Sequence, residues 1–225
     1  MSLLVKICGL STRSSVEAAI AAGADMIGFV FVRKSPRHVC LDEAAKLGEL
    51  VRGRAAIVAL TVDAREETIS QIVENLRPDL IQLHGQEAPE WVAHLRTKFK
   101  LPMMKAIGVA RRDDLFAVQA YPMADRFLID AKAPVDAELP GGNGRPFDWR
   151  LLDGFASSAP LMLSGGLDAG NVAEAIRIAR PAGVDVSSGV ERAPGLKDEA
   201  MIAAFVRAAR AAAGRGNRGE PSCPS

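Results

Sequence analysis

Short apolar, β-branched segments alternate along the chain with longer segments in which apolar residues recur every three or four positions. This helical spacing is clear at Ile69, Ile72, Val73 and Leu76 and again near the carboxyl end at Ile202, Phe205, Val206 and Ala209. The apolar runs predict eight strands, Leu3–Cys8, Asp25–Val32, Ala55–Val62, Leu80–Leu83, Met103–Ile107, Phe127–Asp130, Leu161–Ser164 and Val184–Ser187.

Eight strands with helical segments between them predict an α/β protein, a single-domain (β/α)₈ TIM barrel over residues 1–213. A doubly wound open sheet is the alternative, but it usually has fewer strands and a GxGxxG loop directly after a strand, and none of the eight predicted strands is followed by one. Residues 214–225 lack an apolar period and are rich in Gly, Pro and Ser, so we expect a disordered carboxyl-terminal tail.

Composition narrows the class of protein. The chain has 225 residues and a formal net charge of +1, so neither nucleic acid nor an acidic membrane surface is expected as a partner. Its three cysteines show no metal-ligand spacing, and no stretch is long and apolar enough for a signal peptide or a membrane span. We therefore expect a cytoplasmic protein with reduced thiols.

Reactive groups of a (β/α)₈ barrel lie at the carboxyl ends of its strands. Two glycine-bearing turns follow neighbouring strands 7 and 8, and their candidate phosphate-binding residues are Gly165, Gly166, Ser187, Ser188 and Gly189. Glycine allows a phosphate to approach backbone amides, and serine hydroxyls add hydrogen-bond donors. Either turn alone could be a tight strand–helix connection, but the pair on adjacent strands favours a phosphate site.

Two ionisable side chains at strand ends are candidate catalytic groups. Cys8 ends strand 1, and a cation such as Lys6 on the same face of the strand would lower the pKa of its thiol from about 8.5. Its alternative role is that of a small buried apolar residue. Asp130 follows three apolar residues at the end of strand 6, where packing explains a carboxyl group poorly. Its alternative is to cap a helix or anchor a loop.

Three further polar residues are candidates for substrate binding. Arg37, after strand 2, can hold a carboxylate with two parallel hydrogen bonds, although it can also be a solvated loop residue. His84, after strand 4, is a possible acid, base or donor, or makes a structural hydrogen bond. Asp185 lies between two valines in strand 8 and requires a function or an internal partner such as Lys6.

The connection from Ala131 to Phe147 is long for a compact domain and carries three prolines and three glycines. Connections of this length are usually functional or disordered, and some close over bound ligands and exclude water. We expect this segment to act as a lid.

Nine motifs in order along the chain resemble the phosphoribosylanthranilate isomerase family of tryptophan biosynthesis. They are Lys6-Ile7-Cys8-Gly9, Gly28-Phe29-Val30-Phe31, Ser35-Pro36-Arg37, Gln82-Leu83-His84-Gly85, Asp130-Ala131-Lys132, Gly141-Gly142-Asn143-Gly144, Phe147-Asp148-Trp149, Leu163-Ser164-Gly165-Gly166-Leu167 and Asp185-Val186-Ser187-Ser188-Gly189-Val190-Glu191. The resemblance covers nearly all of the chain except the tail. Asn143 stands where the family commonly has Ser or Thr.

This resemblance implies an aldose–ketose isomerase that carries out the Amadori rearrangement of N-(5-phosphoribosyl)anthranilate to 1-(2-carboxyphenylamino)-1-deoxyribulose 5-phosphate, the third step of tryptophan synthesis from chorismate. It implies that Asp130 is the general acid and Cys8 the general base. Arg37 would hold the anthranilate carboxylate and Asp185 would contact the substrate near the anthranilate amine. Proton transfers and a fixed phosphate suffice for this reaction, so no metal or other cofactor is expected.

Two other functions remain open at this point. Another phosphate-binding barrel, such as an aldolase, could use Lys6, Lys105 or Lys132 to form a Schiff base. A barrel that only binds a sugar phosphate would have no need of both Cys8 and Asp130. The sequence also leaves open whether the protein is a monomer or a homodimer.

Overall fold

Eight parallel strands pair in chain order, and the first also pairs with the last, so the sheet closes into a barrel. The computed structural model in which this is seen describes residues 2–133 and 147–216. The strands are β1 Leu4–Cys8, β2 Met26–Val30, β3 Ala56–Thr61, β4 Leu80–Leu83, β5 Met103–Val109, β6 Arg126–Ala131, β7 Leu161–Leu163 and β8 Gly183–Val186. The predicted barrel is confirmed. Strand β5 runs two residues past its predicted end because Gly108 and Val109 continue its pairing with β6.

Helices pack outside the barrel. They are α1 Arg13–Ala22, α2 Leu41–Val51, α3 Glu66–Leu76, α4 Pro89–Phe99, α5 Val172–Ala179 and α6 Glu199–Gly216. After β5 the connection forms a 3₁₀ helix, Arg112–Ala120, in which buried Leu115 and Val118 lie three residues apart. That spacing matches the three-residue turn of a 3₁₀ helix. The described part of the next connection contains a second 3₁₀ helix, Trp149–Leu152.

A short antiparallel hairpin separates β8 from the last helix. A 3₁₀ turn, Ser188–Val190, leads into β9 Glu191–Ala193 and β10 Leu196–Lys197. Helix α6 then ends at Gly216, three residues beyond the predicted domain boundary. The rest of the predicted tail, 217–225, and most of the predicted lid, 134–146, lie outside the described residues. In the described part of the chain, every helix is too short or too polar to cross a membrane.

The inside of the barrel changes from apolar to polar along the strands. Its apolar floor consists of residues that six strands contribute, namely Met26, Val58, Leu80, Met104, Leu128 and Met162. Alternate strand residues face the same side, so two positions further along most strands the interior receives polar or small residues, namely Lys6, Gly28, Gln82, Ala106, Asp130, Ser164 and Asp185. The polar end of the barrel is therefore the carboxyl end of its strands.

Candidate active site

The Cys8 thiol lies in a space that a glycine leaves free. Cys8 is the last residue of β1 and is 4% exposed. Gly28 of β2 is its partner across the sheet, and a Cβ at position 28 would lie 2.9 Å from the Cys8 Sγ and 3.3 Å from the Lys6 Cε. Glycine within a strand often marks such a close approach. Gly28 therefore makes room for both the thiol and the lysine.

Lys6 and Asp185 form an ion pair inside the barrel. The fully buried Lys6 Nζ donates to Asp185 Oδ1 at 2.8 Å, and Ser164 Oγ donates to Asp185 Oδ2 at 3.2 Å. Burial disfavours the charged lysine, but Asp185 and Cys8 together outweigh burial and raise the pKa of Lys6. Asp185 thus has the internal partner that the sequence left open, and its predicted contact with substrate stays a prediction.

The environment of Cys8 differs from the expectation. Burial raises the pKa of the Cys8 thiol above its ordinary value, and Lys6 offsets only part of this shift. The paired Asp185 carboxylate disfavours a thiolate, while Lys197 favours one. The expectation that Lys6 gives Cys8 a lowered pKa is therefore wrong for this structure, because desolvation exceeds the attraction of a cation that already has an anionic partner.

Asp130 lies at the end of β6 and is 6% exposed. Its Oδ1 accepts a hydrogen bond from the Ala131 amide at 2.8 Å, and its Oδ2 lies 3.3 Å from the His84 Nε2. Gly165, in the turn after β7, lies directly against it, since a Cβ there would approach Asp130 Oδ1 to 2.9 Å and the Ala131 nitrogen to 2.6 Å. Asp130 is therefore held beside the first glycine-bearing turn.

His84 lies between Asp130 and a second polar side chain from its own strand. The Gln82 Nε2 is 2.9 Å from the His84 Nδ1, and Gln82 is fully buried. A structural hydrogen bond, one of the two roles left open for His84, is thus present. The structure brings His84 next to Asp130, and its contact with substrate stays a prediction.

The two glycine-bearing turns after β7 and β8 pack against each other. Gly165 and Gly166 have φ values of +85° and +64°, in the left-handed region that favours glycine. A Cβ at Gly189 would lie only 1.9 Å from the Leu167 carbonyl oxygen. In residues 2–133 and 147–216, the amides of Gly165 and Gly166 donate to no other protein group. The structure therefore brings the predicted phosphate-binding turns together with two amides available to an anion.

The two serines of the second turn differ in their contacts. Ser187 Oγ donates to the Cys8 carbonyl at 3.1 Å and lies 3.3 Å from the Lys197 Nζ, which can only donate to it. Its hydroxyl proton is thus engaged within the protein. The half-buried Ser188 makes no side-chain hydrogen bond in the part of the chain that the structure describes. Of the two hydroxyls, that of Ser188 is the one free to meet a phosphate.

Arg37 is buried and already holds a carboxylate. Its Nε donates to Glu191 Oε1 and its Nη2 to Glu191 Oε2, both at 2.8 Å. The side chain crosses Gly9, where φ is +76° and a Cβ would lie 2.7 Å from the Arg37 Cδ. The two-bond geometry predicted for a substrate carboxylate is therefore occupied by Glu191. A substrate carboxylate would meet the remaining guanidinium donors, chiefly those of Nη1.

Lys197 of β10 completes a buried charge cluster with Arg37 and Glu191. Its Nζ donates to Glu191 Oε1 at 2.8 Å and to the Ser187 carbonyl at 2.9 Å. Burial lowers the pKa of Lys197, and Glu191 offsets part of the shift. Burial opposes ionisation of Glu191, but hydrogen bonds and charge from the two cations hold the pKa of Glu191 below its ordinary range. The hairpin thus links the Arg37 loop to the Ser187 turn.

Four residues with clear roles in this geometry had none assigned from the sequence. The motifs of the family resemblance include Gln82, Gly28 and Glu191, but roles were assigned from the sequence only to other residues of the chain. Lys197 belongs to none of these motifs. An apolar pattern that breaks at Gln82 inside a strand is a signal that could have been used. For Lys197 no local signal exists, because its partners are Glu191 in β9 and Ser187 in the turn after β8.

Comparison with known proteins identifies the family of this chain. A protein-family model described as N-(5'phosphoribosyl)anthranilate (PRA) isomerase matches residues 5–208. A curated N-(5'-phosphoribosyl)anthranilate isomerase from Rhodopseudomonas palustris (strain HaA2) is 59% identical over 212 residues, which cover 94% of this chain and 97% of that relative. The matched range of the family model includes every candidate residue from Cys8 to Gly189.

Two solved structures are similar to this one over almost their whole length. The crystal structure of phosphoribosyl anthranilate isomerase from Thermotoga maritima has a TM-score of 0.82 at 33% identity, covering 93% of this chain and 99% of that one. A crystal structure of phosphoribosyl anthranilate isomerase in complex with reduced 1-(o-carboxyphenylamino)-1-deoxyribulose 5-phosphate has a TM-score of 0.80 at 31% identity, with the same coverage.

Proposed function

Because this chain belongs to the N-(5'-phosphoribosyl)anthranilate isomerase family, we propose that it converts N-(5-phosphoribosyl)anthranilate into 1-(2-carboxyphenylamino)-1-deoxyribulose 5-phosphate in tryptophan biosynthesis. The reaction needs an acid, a base and a fixed substrate. One observation carries the proposal. Asp130 and Cys8 lie at the carboxyl ends of β6 and β1, and the two glycine-bearing turns after β7 and β8 lie between them around the barrel.

Asp130 acts first in this scheme, as the general acid. Its proton passes to the furanose ring oxygen, the bond from that oxygen to C1 breaks, and the amine lone pair forms a C=N bond. The Asp130 carboxylate that remains accepts a hydrogen bond from the Ala131 amide, and the His84 Nε2 lies 3.3 Å from its Oδ2. Both groups face the oxygens on which the negative charge develops.

Cys8 acts second, as the general base. Its thiolate removes the C2 proton, the C–H electrons form a C1=C2 bond, and the C=N electrons return to nitrogen. A proton then enters at C1 and the C2 hydroxyl loses one, which balances the isomerisation and restores both enzyme groups. Because the pKa of Cys8 is raised by burial, the thiolate depends on the two cations that face it, Lys6 and Lys197.

The substrate's anionic groups have separate partners in this proposal. The Gly165, Gly166 and Gly189 region with Ser188 receives the phosphate, and the free guanidinium donors of Arg37 receive the anthranilate carboxylate. Asp185 is proposed to contact the anthranilate amine. Its oxygens already accept from Lys6 and Ser164, but each carboxylate oxygen has a second lone pair for an N–H donor.

We propose that the reaction proceeds without metal or organic cofactor, since proton transfers alone interconvert substrate and product. The net charge of +1 supports a small-molecule partner rather than nucleic acid. The cytoplasm is the proposed compartment, in keeping with free cysteines at positions 8 and 40. The homologue from Thermotoga maritima is described as dimeric, and sedimentation will show whether this chain is a monomer or a homodimer.

A Schiff-base aldolase is the main rival, and its lysines are poorly placed. Lys6 is fully buried, paired with Asp185 and has a raised pKa, so it is a weak nucleophile. Lys105 is paired with Glu87, and both are buried. Lys132 is exposed and paired with Asp114. Borohydride reduction in the presence of a carbonyl substrate should therefore leave the protein unmodified.

A fluorescence assay tests the proposed function directly. Anthranilate and phosphoribosyl pyrophosphate, combined with the preceding transferase, form the fluorescent substrate in place, and its emission should decay when this protein is added. Asp130→Asn keeps the shape of the side chain but cannot deliver a proton, so it should reduce kcat by roughly 10² to 10⁴. Undiminished emission with the folded wild-type protein would exclude the function.

A further inference from the structure

Gln82 is a fully buried polar residue inside the barrel for which the proposed mechanism has no role. It lies on β4 two residues before His84, so both side chains face the barrel interior. Its Nε2 is 2.9 Å from the His84 Nδ1. Within residues 2–133 and 147–216, its Oε1 is buried without a hydrogen-bond partner. Burying the Gln82 Oε1 without a hydrogen bond costs free energy. The contact with His84 is therefore the feature of Gln82 that calls for an explanation.

The carboxylate on the other side of His84 fixes the direction of this bond. Asp130 Oδ2 is 3.3 Å from the His84 Nε2, and in the carboxylate form of Asp130 this oxygen would be repelled by a nitrogen lone pair. When Asp130 is a carboxylate, the arrangement therefore favours a proton on Nε2 that faces Asp130. In a neutral imidazole the other nitrogen is then an acceptor. Gln82 satisfies that acceptor only by presenting its amide N–H, which is the orientation in the structure.

We propose that Gln82 is a positioning residue that holds His84 in the neutral form with its proton on Nε2, so that His84 donates a hydrogen bond to Asp130. This inference rests on the proposed function for its catalytic meaning. As Asp130 releases its proton to the sugar ring, the new carboxylate meets an N–H that is already aimed at it. Gln82 acts through His84, since it contacts the imidazole and not the carboxylate.

The tautomer of His84 can be measured without any activity assay. The chain has three histidines, so ¹⁵N-histidine labelling with two-bond proton–nitrogen correlation resolves each ring, and His84→Asn identifies the His84 signals. At a pH where His84 is neutral, Nε2 should be protonated and Nδ1 should be the unprotonated, hydrogen-bond-accepting nitrogen. A proton on Nδ1, or on both nitrogens, in the wild-type protein would overturn the proposal.

Gln82→Glu tests the role of the amide donor. Glutamate has nearly the same shape but presents only acceptors, so it should draw a proton onto Nδ1 and leave His84 charged between two carboxylates. Gln82→Met removes the donor without adding charge and should lower the population of the single tautomer. Unchanged His84 nitrogen signals in both variants would show that Gln82 does not control the ring.

Thr61→Val is the matched control for disturbing a buried polar group in this sheet. Thr61, on the adjacent β3, is buried, and its hydroxyl has no partner among the described residues. This variant should keep both the His84 signals and the turnover of the wild type.

Kinetics then separates this proposal from the proposed function. Gln82→Glu and Gln82→Met should lower kcat by roughly 10-fold to 100-fold with little change in KM, the range for one hydrogen bond to a charged group. If the wild type shows the expected tautomer but no isomerase activity, the proposed function fails and the Gln82 assignment stands. If kcat is unchanged in folded Gln82 variants whose tautomer has changed, the catalytic meaning of Gln82 is rejected.

Discussion

Gly165 lies so close to Asp130 that a Cβ at position 165 would approach the Asp130 Oδ1 to 2.9 Å and the Ala131 nitrogen to 2.6 Å. Gly165→Ala should therefore displace the proposed acid and the first phosphate turn together. A misplacement near 1 Å reduces turnover by about 10², and we expect a loss of this order in kcat. The fluorescence assay measures it.

Gly154→Ala is the control for backbone strain at this site. Gly154 also has a positive φ, +66°, but a Cβ there meets nothing within 4 Å. Both variants should lose about 1–2 kcal/mol of stability to the left-handed conformation, and Gly165→Ala should lose more because of its contacts with Asp130 and Ala131. Only Gly165→Ala should lose activity. Equal activity in the two variants would mean that Asp130 tolerates displacement.

Cys8→Ser should reduce kcat by roughly 10² to 10⁴, because a hydroxyl yields far less conjugate base than a thiol. Cys40→Ser, at the exposed cysteine, is the matched control and should retain full turnover. The measurement is kcat in the fluorescence assay, with circular dichroism to verify folding. Near-normal turnover in Cys8→Ser would remove Cys8 from the mechanism.

The pH dependence of Cys8 alkylation should reveal its environment. The thiolate is the reactive form, and burial raises the pKa of Cys8. Alkylation of a Cys40→Ser, Cys223→Ser protein should therefore reach half its maximal rate above pH 8.5, the ordinary thiol value. The charged groups facing Cys8 are Lys6, Asp185 and Lys197. Lys197→Met removes one cation and should move the midpoint higher, whereas Lys197→Arg should not.

Arg37→Ala should lower kcat/KM for the anthranilate substrate by roughly 10-fold to 100-fold, the value of a hydrogen bond to a charged group. The phosphoribosyl adduct of aniline, which lacks the carboxylate, is the control substrate, and its kcat/KM should fall much less. Equal losses of kcat/KM for the two substrates would show that Arg37 maintains the shape of the pocket through Glu191 and does not bind the substrate carboxylate.

Glu191→Gln should destabilise the protein by about 3 kcal/mol, because it leaves two buried cations, Arg37 and Lys197, without their carboxylate. Glu49→Gln, at an exposed carboxylate with two arginine partners, should change stability little.

The pKa of Glu191 is lowered in the folded protein, so the contribution of Glu191 to stability is complete above about pH 4.3 and is lost as pH falls through the folded pKa. Urea unfolding measures the free energy of unfolding of the wild type and of Glu191→Gln. The difference between the two proteins should be smaller at pH 3 than at pH 7.

The sequence predicted the barrel and the strand-end positions because both depend on local information. Apolar runs of four to eight residues identify strands, and the carboxyl end of a parallel strand is the reactive end whatever its neighbours are. Cys8, His84 and Asp130 could be found in this way. Their surroundings could not, since the contacts of Cys8 with Gly28 and of Asp130 with Gly165 join different strands.

Charge partners were the least predictable part of the site. Strand alternation correctly places Lys6 and Cys8 on the same face of β1. The direction of the shift in the Cys8 pKa nevertheless depends on burial and on Asp185, which is far away along the chain. Arg37 could be recognised as a carboxylate-binding residue, but its partner Glu191 lies 154 positions later. Desolvation and long-range pairing are properties of the closed barrel, and no window of sequence contains them.

The ion pair between Lys6 and Asp185 joins residues 179 positions apart. The ribosome releases Lys6 early and Asp185 much later in synthesis. Until β8 is present, Lys6 has no carboxylate partner inside the barrel, and burying its unpaired charge is strongly unfavourable. The first strand therefore gains its final surroundings only when the last strand arrives. Truncated translation products that lack β8 cannot assemble the proposed catalytic thiol's site, so turnover by this protein requires synthesis to have passed β8.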